Sequence, residues 1–112
     1  MDIGAHTKTH IDLTSVSTST AKNEIIGCKA DLENLFDVTI SDFCYPFGYL
    51  NESVCNIAKK AGYLSATTMK RGRVNSQSNL LQLPRIPITH HTLPHLFLFK
   101  ILTSYEDKRS EI

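Results

Sequence analysis

The segment Ile3-Gly4-Ala5-His6-Thr7-Lys8-Thr9-His10 links a short apolar run to a polar loop and carries two imidazoles four residues apart. The apolar run is typical of the end of a buried strand, so the histidines would lie at a strand's end, where α/β proteins keep their ligand sites. A spacing of four puts both rings on one side of a helix or a strand, and neutral imidazole is a common metal ligand. Alternatively, both are solvated side chains, and the spacing alone leaves this open.

The composition favours one globular domain. The chain has 112 residues, of which 41% are hydrophobic, and this is enough for one core but not for two. Its formal net charge of +1 provides no field that attracts a polyanion, so nucleic acid is a poor candidate partner. The only basic cluster, Lys70-Arg71-Gly72-Arg73, lacks interleaved aromatic residues and is typical of a solvated turn.

The cysteines and the apolar stretches exclude further classes. Cys28, Cys44 and Cys55 form no CxxC pair and are odd in number, which argues against a disulfide framework and a cysteine zinc site. We expect all three to be reduced residues of the core. The most apolar stretch, residues 93–102, is far shorter than the roughly 20 residues of a membrane span, and no signal peptide pattern is visible. No transmembrane segment is expected, and the compartment stays open.

A helix and a strand are predicted after the histidines. Apolar residues recur at helical spacing between residues 21 and 36. The predicted buried positions of this helix are Ile25, Cys28, Leu32, Leu35 and Phe36. Residues 38–45 are rich in β-branched and aromatic side chains and predict a strand. Tyr45-Pro46-Phe47-Gly48 must end it in a sharp turn, because proline removes a donor and glycine permits positive φ. We expect this turn to expose Tyr45 and Phe47.

The alternation continues downstream. Asn51 predicts the N-cap of a second helix and Gly62 its end. Residues 63–68 and 80–88 predict two strands, the second short or at a sheet edge because of its prolines. Pro94 suits the first turn of a last, almost wholly apolar helix. This order predicts a parallel α/β sheet with an open edge, through which self-association is expected.

Three motifs of the sequence resemble one family. His6-Thr7-Lys8-Thr9-His10 resembles the H-[ST]-x-x-H motif of the polysaccharide deacetylases with a NodB-homology domain, known as carbohydrate esterase family 4. Phe43-Cys44-Tyr45-Pro46-Phe47-Gly48 resembles its F-x-Y-P-[YF]-G motif, and Leu83-Pro84-Arg85-Ile86 resembles its L-P-R-[IV] segment. The three motifs occur in the family's order, and the resemblance covers residues 3–88.

The resemblance implies an α/β fold, namely a partial irregular (β/α) barrel of the NodB type that lacks the first strands. This domain would span residues 1–103, with a charged tail at residues 104–112. The implied function is metal-dependent removal of N-acetyl or O-acetyl groups from an acetylated polysaccharide or oligosaccharide. His6 and His10 would be two of three protein ligands to a divalent metal, with zinc expected. The expected substrate-binding residues are Tyr45, Pro46, Phe47 and Arg85.

One departure from the family concerns its acidic residues. Family members carry a T-F-D-D-type motif upstream of the histidines, whose aspartates supply the third metal ligand and the general base. This chain begins after that position, and Asp2 and Asp12 do not obviously replace the motif. No residue is therefore assigned as catalytic, and we expect the chain to be catalytically impaired. The alternative function is a non-enzymatic carbohydrate-binding or assembly module derived from the same fold.

A second departure concerns a late L-x-H motif that supplies a catalytic histidine in many family members. His90-His91 and His95 lie near that position, but the residues around them do not match the motif. They are therefore left unassigned.

Overall fold

The computed structural model describes the backbone of residues 2–109 and the side chains of residues 2–107. Within this range the elements are α1 (Thr18–Phe36), β1 (Asp42–Cys44), α2 (Glu52–Lys60), β2 (Ser65–Arg71), β3 (Leu83–Arg85), α3 (Pro94–Leu102) and α4 (Tyr105–Arg109). A 3₁₀ turn, Pro46–Gly48, separates β1 from α2. The strands form a parallel sheet in the order β1-β2-β3. The predicted parallel α/β arrangement is therefore confirmed.

The segment that precedes the first helix lies against β1. The Ala5 N–H donates to Asp42 O at 2.8 Å, and the Cys44 N–H donates to Ala5 O at 2.9 Å. These bonds form an isolated parallel bridge between Ala5 and Phe43, so the strand end predicted at residues 3–5 is present as a single bridge. The bridge holds the loop with both histidines beside the C-terminal end of β1.

The predicted strands are present with different lengths. Of the strand predicted at residues 38–45, only Asp42–Cys44 forms the regular strand β1. The strand predicted at residues 63–68 runs as the longer β2, and the one predicted at residues 80–88 is reduced to β3. Pro46, which supplies no backbone N–H to a sheet, begins the turn after β1. Pro84 lies within β3, which has the edge position in the described sheet that the prolines predicted.

Helices α1 and α2 cover one face of the sheet and enclose the core with it. The buried core comprises Ala5, Leu13, Ala21, Ile25, Cys28, Ile40, Phe43, Tyr45, Val54, Ile57, Ala58, Tyr63 and Ala66. The N-cap of α1 is Ser17, whose side chain accepts from Thr20 N at 3.2 Å. The Tyr63 hydroxyl donates to Ile25 O at 2.9 Å, which ties the chain after α2 to α1.

The last turn of α1 differs from its prediction. Leu35 is 74% exposed and Phe36 is 49% exposed, whereas Ile25 and Cys28 are buried as predicted. The fully buried residues of α1 end at Cys28, and Leu32 is only partly buried against the core. The last turn of the helix therefore lies beyond the core, and its apolar side chains lie in solvent.

The predicted helix boundaries downstream are confirmed. Asn51 Oδ1 accepts from Val54 N at 2.9 Å as the N-cap of α2, and Gly62 follows that helix with a φ of 93°. Pro94 opens α3 as predicted. Several apolar side chains of α3 remain exposed, among them Phe97, Leu98 and Leu102.

The predicted charged tail contains the short helix α4. Its Glu106 is completely buried, with Oε1 3.3 Å from Lys100 Nζ and Oε2 3.9 Å from Arg71 Nη1. A buried carboxylate needs such cations to offset its lost hydration. The described part of the tail is thus held to α3 and β2, and residues 110–112 lie outside the described residues.

The cysteines agree in part with the expectation that all three are reduced residues of the core. All three cysteines are free; Cys28 and Cys55 are buried, whereas Cys44 is partly exposed at the end of β1 and is not a core residue.

Across residues 2–109, the structure contains no helix whose length and hydropathy suit a membrane crossing.

Candidate metal and substrate site

His6 and His10 lie together on the loop that leaves the Ala5 bridge. Their ring centroids are 4.7 Å apart, and the His10 ring makes an edge contact with Phe47 at 4.8 Å. The Phe47 ring lies 5.9 Å from that of Tyr49. All four rings are exposed, and we name this row His6, His10, Phe47 and Tyr49 the aromatic ridge. It brings the first motif together with the turn of the second.

A backbone carbonyl orients the His6 ring. His6 Nδ1 lies 2.7 Å from Cys44 O. A carbonyl oxygen can only accept, so Nδ1 must carry the hydrogen, and Nε2 of the neutral ring keeps a free lone pair. Histidines that bind metals are commonly fixed in this way by a partner of their other nitrogen. The His6 side chain is therefore in a tautomer that suits metal binding through Nε2.

A buried carboxylate of α1 holds the histidine loop. Glu24 is only 6% exposed, and its Oε2 accepts from Lys8 N at 2.8 Å and from Thr9 N at 3.2 Å. The Thr9 hydroxyl donates to Oε1 of the same carboxylate. Glu24 thereby fixes the backbone between the two histidines.

The sequence prediction did not identify Glu24, although a signal for it exists. Glu24 adjoins Ile25 and stands four residues before Cys28, so it lies on the predicted buried face of α1. An acid at such a position requires hydrogen-bond donors from elsewhere in the chain.

The site contains several strained backbone positions. Among the described residues, four other than glycine have positive φ, and three belong to this site, namely Thr7 at 67°, His10 at 55° and Phe47 at 61°. The His10 N–H donates to Thr7 Oγ1 at 3.0 Å, which closes the loop. Such conformations cost free energy and concentrate where function demands a defined geometry.

The turn after β1 buries two of the four predicted substrate-binding residues. Tyr45 is 1% exposed and Pro46 is fully buried, and the Tyr45 hydroxyl donates to Leu81 O at 2.7 Å. Burial raises the pKa of this hydroxyl. The prediction that the turn exposes Tyr45 is wrong, because its ring fills the core between sheet and helices. Phe47 is 51% exposed, as predicted.

Arg85 reaches the same edge of the sheet from β3. Its Nη2 lies 2.7 Å from Cys44 Sγ and 3.3 Å from Thr67 Oγ1. Cys44 therefore contacts both His6, through its carbonyl, and Arg85, through its sulfur. The structure brings His6, His10, Phe47 and Arg85 to one edge and keeps the side chains of Tyr45 and Pro46 beneath it.

The donor set for a metal comprises two imidazoles. Among the described residues, no group of three or more His, Cys, Asp and Glu side chains is placed to hold a metal ion. Asp12 instead accepts from the backbone and hydroxyl of Thr14 at 2.9 and 2.6 Å. His6 and His10 therefore fit part of a zinc coordination sphere, which requires further ligands.

Comparison with known proteins gives a consistent result. Residues 1–66 match the polysaccharide deacetylase family. The protein YxkH of Bacillus subtilis (strain 168), named for its likeness to polysaccharide deacetylases, is 25% identical over 89 residues, which are 80% of this chain and 32% of YxkH. The chain thus spans about a third of this curated relative's length.

Solved structures share the fold. The Streptococcus pyogenes deacetylase PplD, solved in complex with acetate, superposes with a TM-score of 0.82 at 27% identity, over 86% of this chain and 42% of that one. A polysaccharide deacetylase from Bacillus cereus gives a TM-score of 0.80 at 29% identity, over 88% of this chain and 31% of that one. The mixed α/β unit described above is therefore similar to part of these deacetylases.

Proposed function

This chain belongs to the polysaccharide deacetylase family, and from that premise we propose that it serves the metal-dependent removal of N-acetyl or O-acetyl groups from a carbohydrate. The observation that carries the proposal is the adjacency of the His6 and His10 rings, 4.7 Å apart, at the sheet edge that also holds Phe47 and Arg85. The substrate would be an acetylated polysaccharide or oligosaccharide.

The metal ligands in this proposal are His6 and His10, and zinc is the ion that best suits two imidazoles with an oxygen ligand. When bound, such an ion polarises an acetyl carbonyl and lowers the pKa of a coordinated water. The protein's part is to hold the rings in place. The Cys44 carbonyl selects the His6 tautomer, and Glu24 holds the loop backbone from the side of α1.

Substrate binding falls to the exposed residues of the same edge. The Phe47 ring offers an apolar surface for a sugar ring, and the Arg85 guanidinium offers donors for its hydroxyl or acetyl oxygens. Tyr45 and Pro46 would act by supporting the turn. We further propose that the three-stranded sheet corresponds to a segment of the family's irregular (β/α) barrel without its first strands, with the site at the C-terminal mouth.

Catalysis by the isolated 112-residue polypeptide is proposed to be slow. Among the described residues no carboxylate is placed to share a metal ion with the histidine pair, and two imidazoles alone bind zinc weakly. Without a general base, no group accepts the proton of an attacking water. A carboxylate from outside the described residues would be needed for ordinary turnover.

Zinc titration tests the ligand assignment. We expect calorimetry to show that His6→Ala and His10→Ala each weaken Zn²⁺ binding by at least about tenfold, since even partners of metal ligands contribute this much. His95→Ala, on exposed α3, serves as the matched control and should leave the affinity unchanged. Unaltered affinity in both site variants would remove the histidines from the proposal.

The second candidate function is a non-enzymatic carbohydrate-binding or assembly module. The exposed aromatic ridge favours it, because four adjacent rings can bind a glycan without a complete metal site. Binding of an acetylated chito-oligosaccharide that EDTA leaves unchanged and that added zinc does not strengthen would support this second function over the first. Acetate release that depends on zinc and on His6 would exclude it.

Self-association through an open sheet edge is the corresponding assembly proposal. In the described sheet β3 forms strand pairing only with β2, so the outer edge of β3 is unpaired within the described residues. Unpaired edges favour pairing with another chain. Sedimentation velocity should show a dimer whose population falls after Ile86→Pro, and a monomer at all concentrations would contradict the proposal.

A further inference from the structure

A polar cavity lies beside the aromatic ridge, at the C-terminal end of β2. Its volume is about 480 Å³, which lies within the range of small-molecule sites. Gly48, which follows Phe47 of the aromatic ridge, forms part of the wall of this cavity. The rest of the wall includes three basic residues, two amides and one acid, namely Lys70, Arg71, Arg73, Asn75, Asn79 and Asp107. We name this cavity the cationic pocket.

The three basic residues of the pocket differ in how far they are neutralised. Arg73 is paired with an acid, because Asp107 Oδ1 accepts from its backbone N–H at 2.7 Å and Oδ2 lies 3.2 Å from its Nη2. Arg71 Nη1 reaches the buried Glu106 only at 3.9 Å. For Lys70, no carboxylate oxygen of the described residues lies within 4.0 Å of Nζ. The pocket therefore keeps an unneutralised ammonium and a weakly paired guanidinium.

The amides of the pocket add donors and few acceptors. Asn75 Oδ1 accepts from Gln77 N at 2.8 Å, and Asn79 Oδ1 accepts from Leu81 N at 2.9 Å. Because both amide oxygens are used in turns, the amide hydrogens are the groups left for a ligand. A cavity rich in donors and positive charge fits an anionic ligand.

We propose that the cationic pocket binds an anionic group of a glycan, a carboxylate or a phosphate carried by a sugar unit next to the one at the aromatic ridge. This inference deepens the proposed function, because the two sites are joined through Phe47 and Gly48 and one extended glycan would occupy both. Lys70 provides the principal charge, and Asn75 and Asn79 provide hydrogen bonds. The chain would then prefer acidic over neutral polysaccharides.

The test is a binding titration of the full chain without zinc, using a short oligogalacturonate and its methyl ester. The two probes share every ring and differ in the charge of the carboxyl group and in the ester's methyl group. The expected result is at least about fivefold tighter binding of the acid, which corresponds to one ion pair of about 1 kcal/mol. Lys70→Gln should abolish most of this preference. Lys59 is an exposed lysine on α2, and the control variant Lys59→Gln should leave this preference unchanged.

Inorganic phosphate, titrated separately, distinguishes the two sources of the anion. Lys70-dependent binding of the oligogalacturonate or of phosphate supports the pocket and identifies its ligand as a carboxylate or a phosphate. Equal binding of the acid and the ester together with no phosphate binding would overturn the proposal, as would binding that Lys70→Gln leaves unchanged. Since neither probe carries an acetyl group and no metal is present, failure here is separate from failure of the deacetylase function, which His6→Ala tests.

Discussion

His6 Nδ1 and the carbonyl oxygen of Cys44 lie 2.7 Å apart, so the end of β1 orients an imidazole on the preceding loop. The sulfur of the same cysteine lies 2.7 Å from Arg85 Nη2. Three motifs that are separate in sequence therefore meet through one residue, the variable position of the second motif. The short strand β1, although only three residues long, therefore lies at the centre of the candidate site, because its last residue contacts both His6 and Arg85.

The first prediction concerns Glu24, which accepts from Lys8 N and Thr9 N. Glu24→Gln should lower the free energy of unfolding by about 1.5 to 3 kcal/mol, because hydrogen bonds to a charged acceptor are lost in a buried place. The loop then loosens, and Zn²⁺ affinity should fall about tenfold. Urea unfolding and calorimetry measure the two effects. Glu52→Gln, an exposed acid on α2, should alter stability little, and a similar result for Glu24→Gln would refute its positioning role.

The second prediction concerns Gly48, whose φ is +73° and whose added Cβ would lie 2.3 Å from Met69 Cγ. Gly48→Ala should destabilise the fold by about 1 to 3 kcal/mol through backbone strain, and more if β2 must shift. Gly27→Ala is the contrasting variant, since Gly27 lies within α1 and the three atoms nearest to its added Cβ all belong to the flexible Lys8 side chain. That change should stabilise by up to about 1 kcal/mol. Thermal or urea unfolding of both variants gives the comparison, and equal effects would contradict it.

The helix boundaries of this chain were predictable from local residues, whereas its tertiary contacts were not. Asn51, Gly62 and Pro94 act through their own backbone or short side chains, so the boundaries that they predict are present in the structure. The burial of Tyr45 and the exposure of Leu35 depend on which elements lie above and below them. That information comes from packing, which a periodicity in one segment does not contain.

The same distinction applies to the site. Resemblance to a family predicted His6, His10 and Arg85 as site residues. In the structure His6 and Arg85 both contact Cys44, and the His10 ring lies beside that of His6. Glu24 was not predicted, because the backbone N–H groups that donate to it lie sixteen and fifteen residues earlier in the sequence. No local motif marks such a contact. An acid on the buried face of a predicted helix should therefore be treated as a candidate anchor for a distant loop.

The third prediction is a pH dependence from Glu33. The Lys29 ammonium donates to Glu33 Oε2 at 2.8 Å, the Ile40 N–H donates to it at 2.9 Å, and these bonds lower the pKa of the Glu33 carboxyl. A carboxyl with a lowered folded pKa stabilises the protein above its unfolded pKa, and this contribution is lost as the pH falls through the folded value. Glu33→Gln should therefore flatten the fall of the urea midpoint below about pH 5. An unchanged slope, judged against Glu52→Gln, would contradict this.

The fourth prediction separates support of the turn from contact with a glycan. Tyr45→Phe removes the hydroxyl that donates to Leu81 O at 2.7 Å, which should cost about 1 to 2 kcal/mol of unfolding free energy and leave oligosaccharide affinity unchanged. Phe47→Ala removes a half-exposed ring that contacts His10, so it should change stability by less than about 1 kcal/mol and weaken oligosaccharide binding severalfold. Urea unfolding and a chito-oligosaccharide titration of both variants resolve the two roles. If Tyr45→Phe weakened binding while Phe47→Ala did not, the buried tyrosine would be the substrate contact after all, and the turn would have to open to expose it.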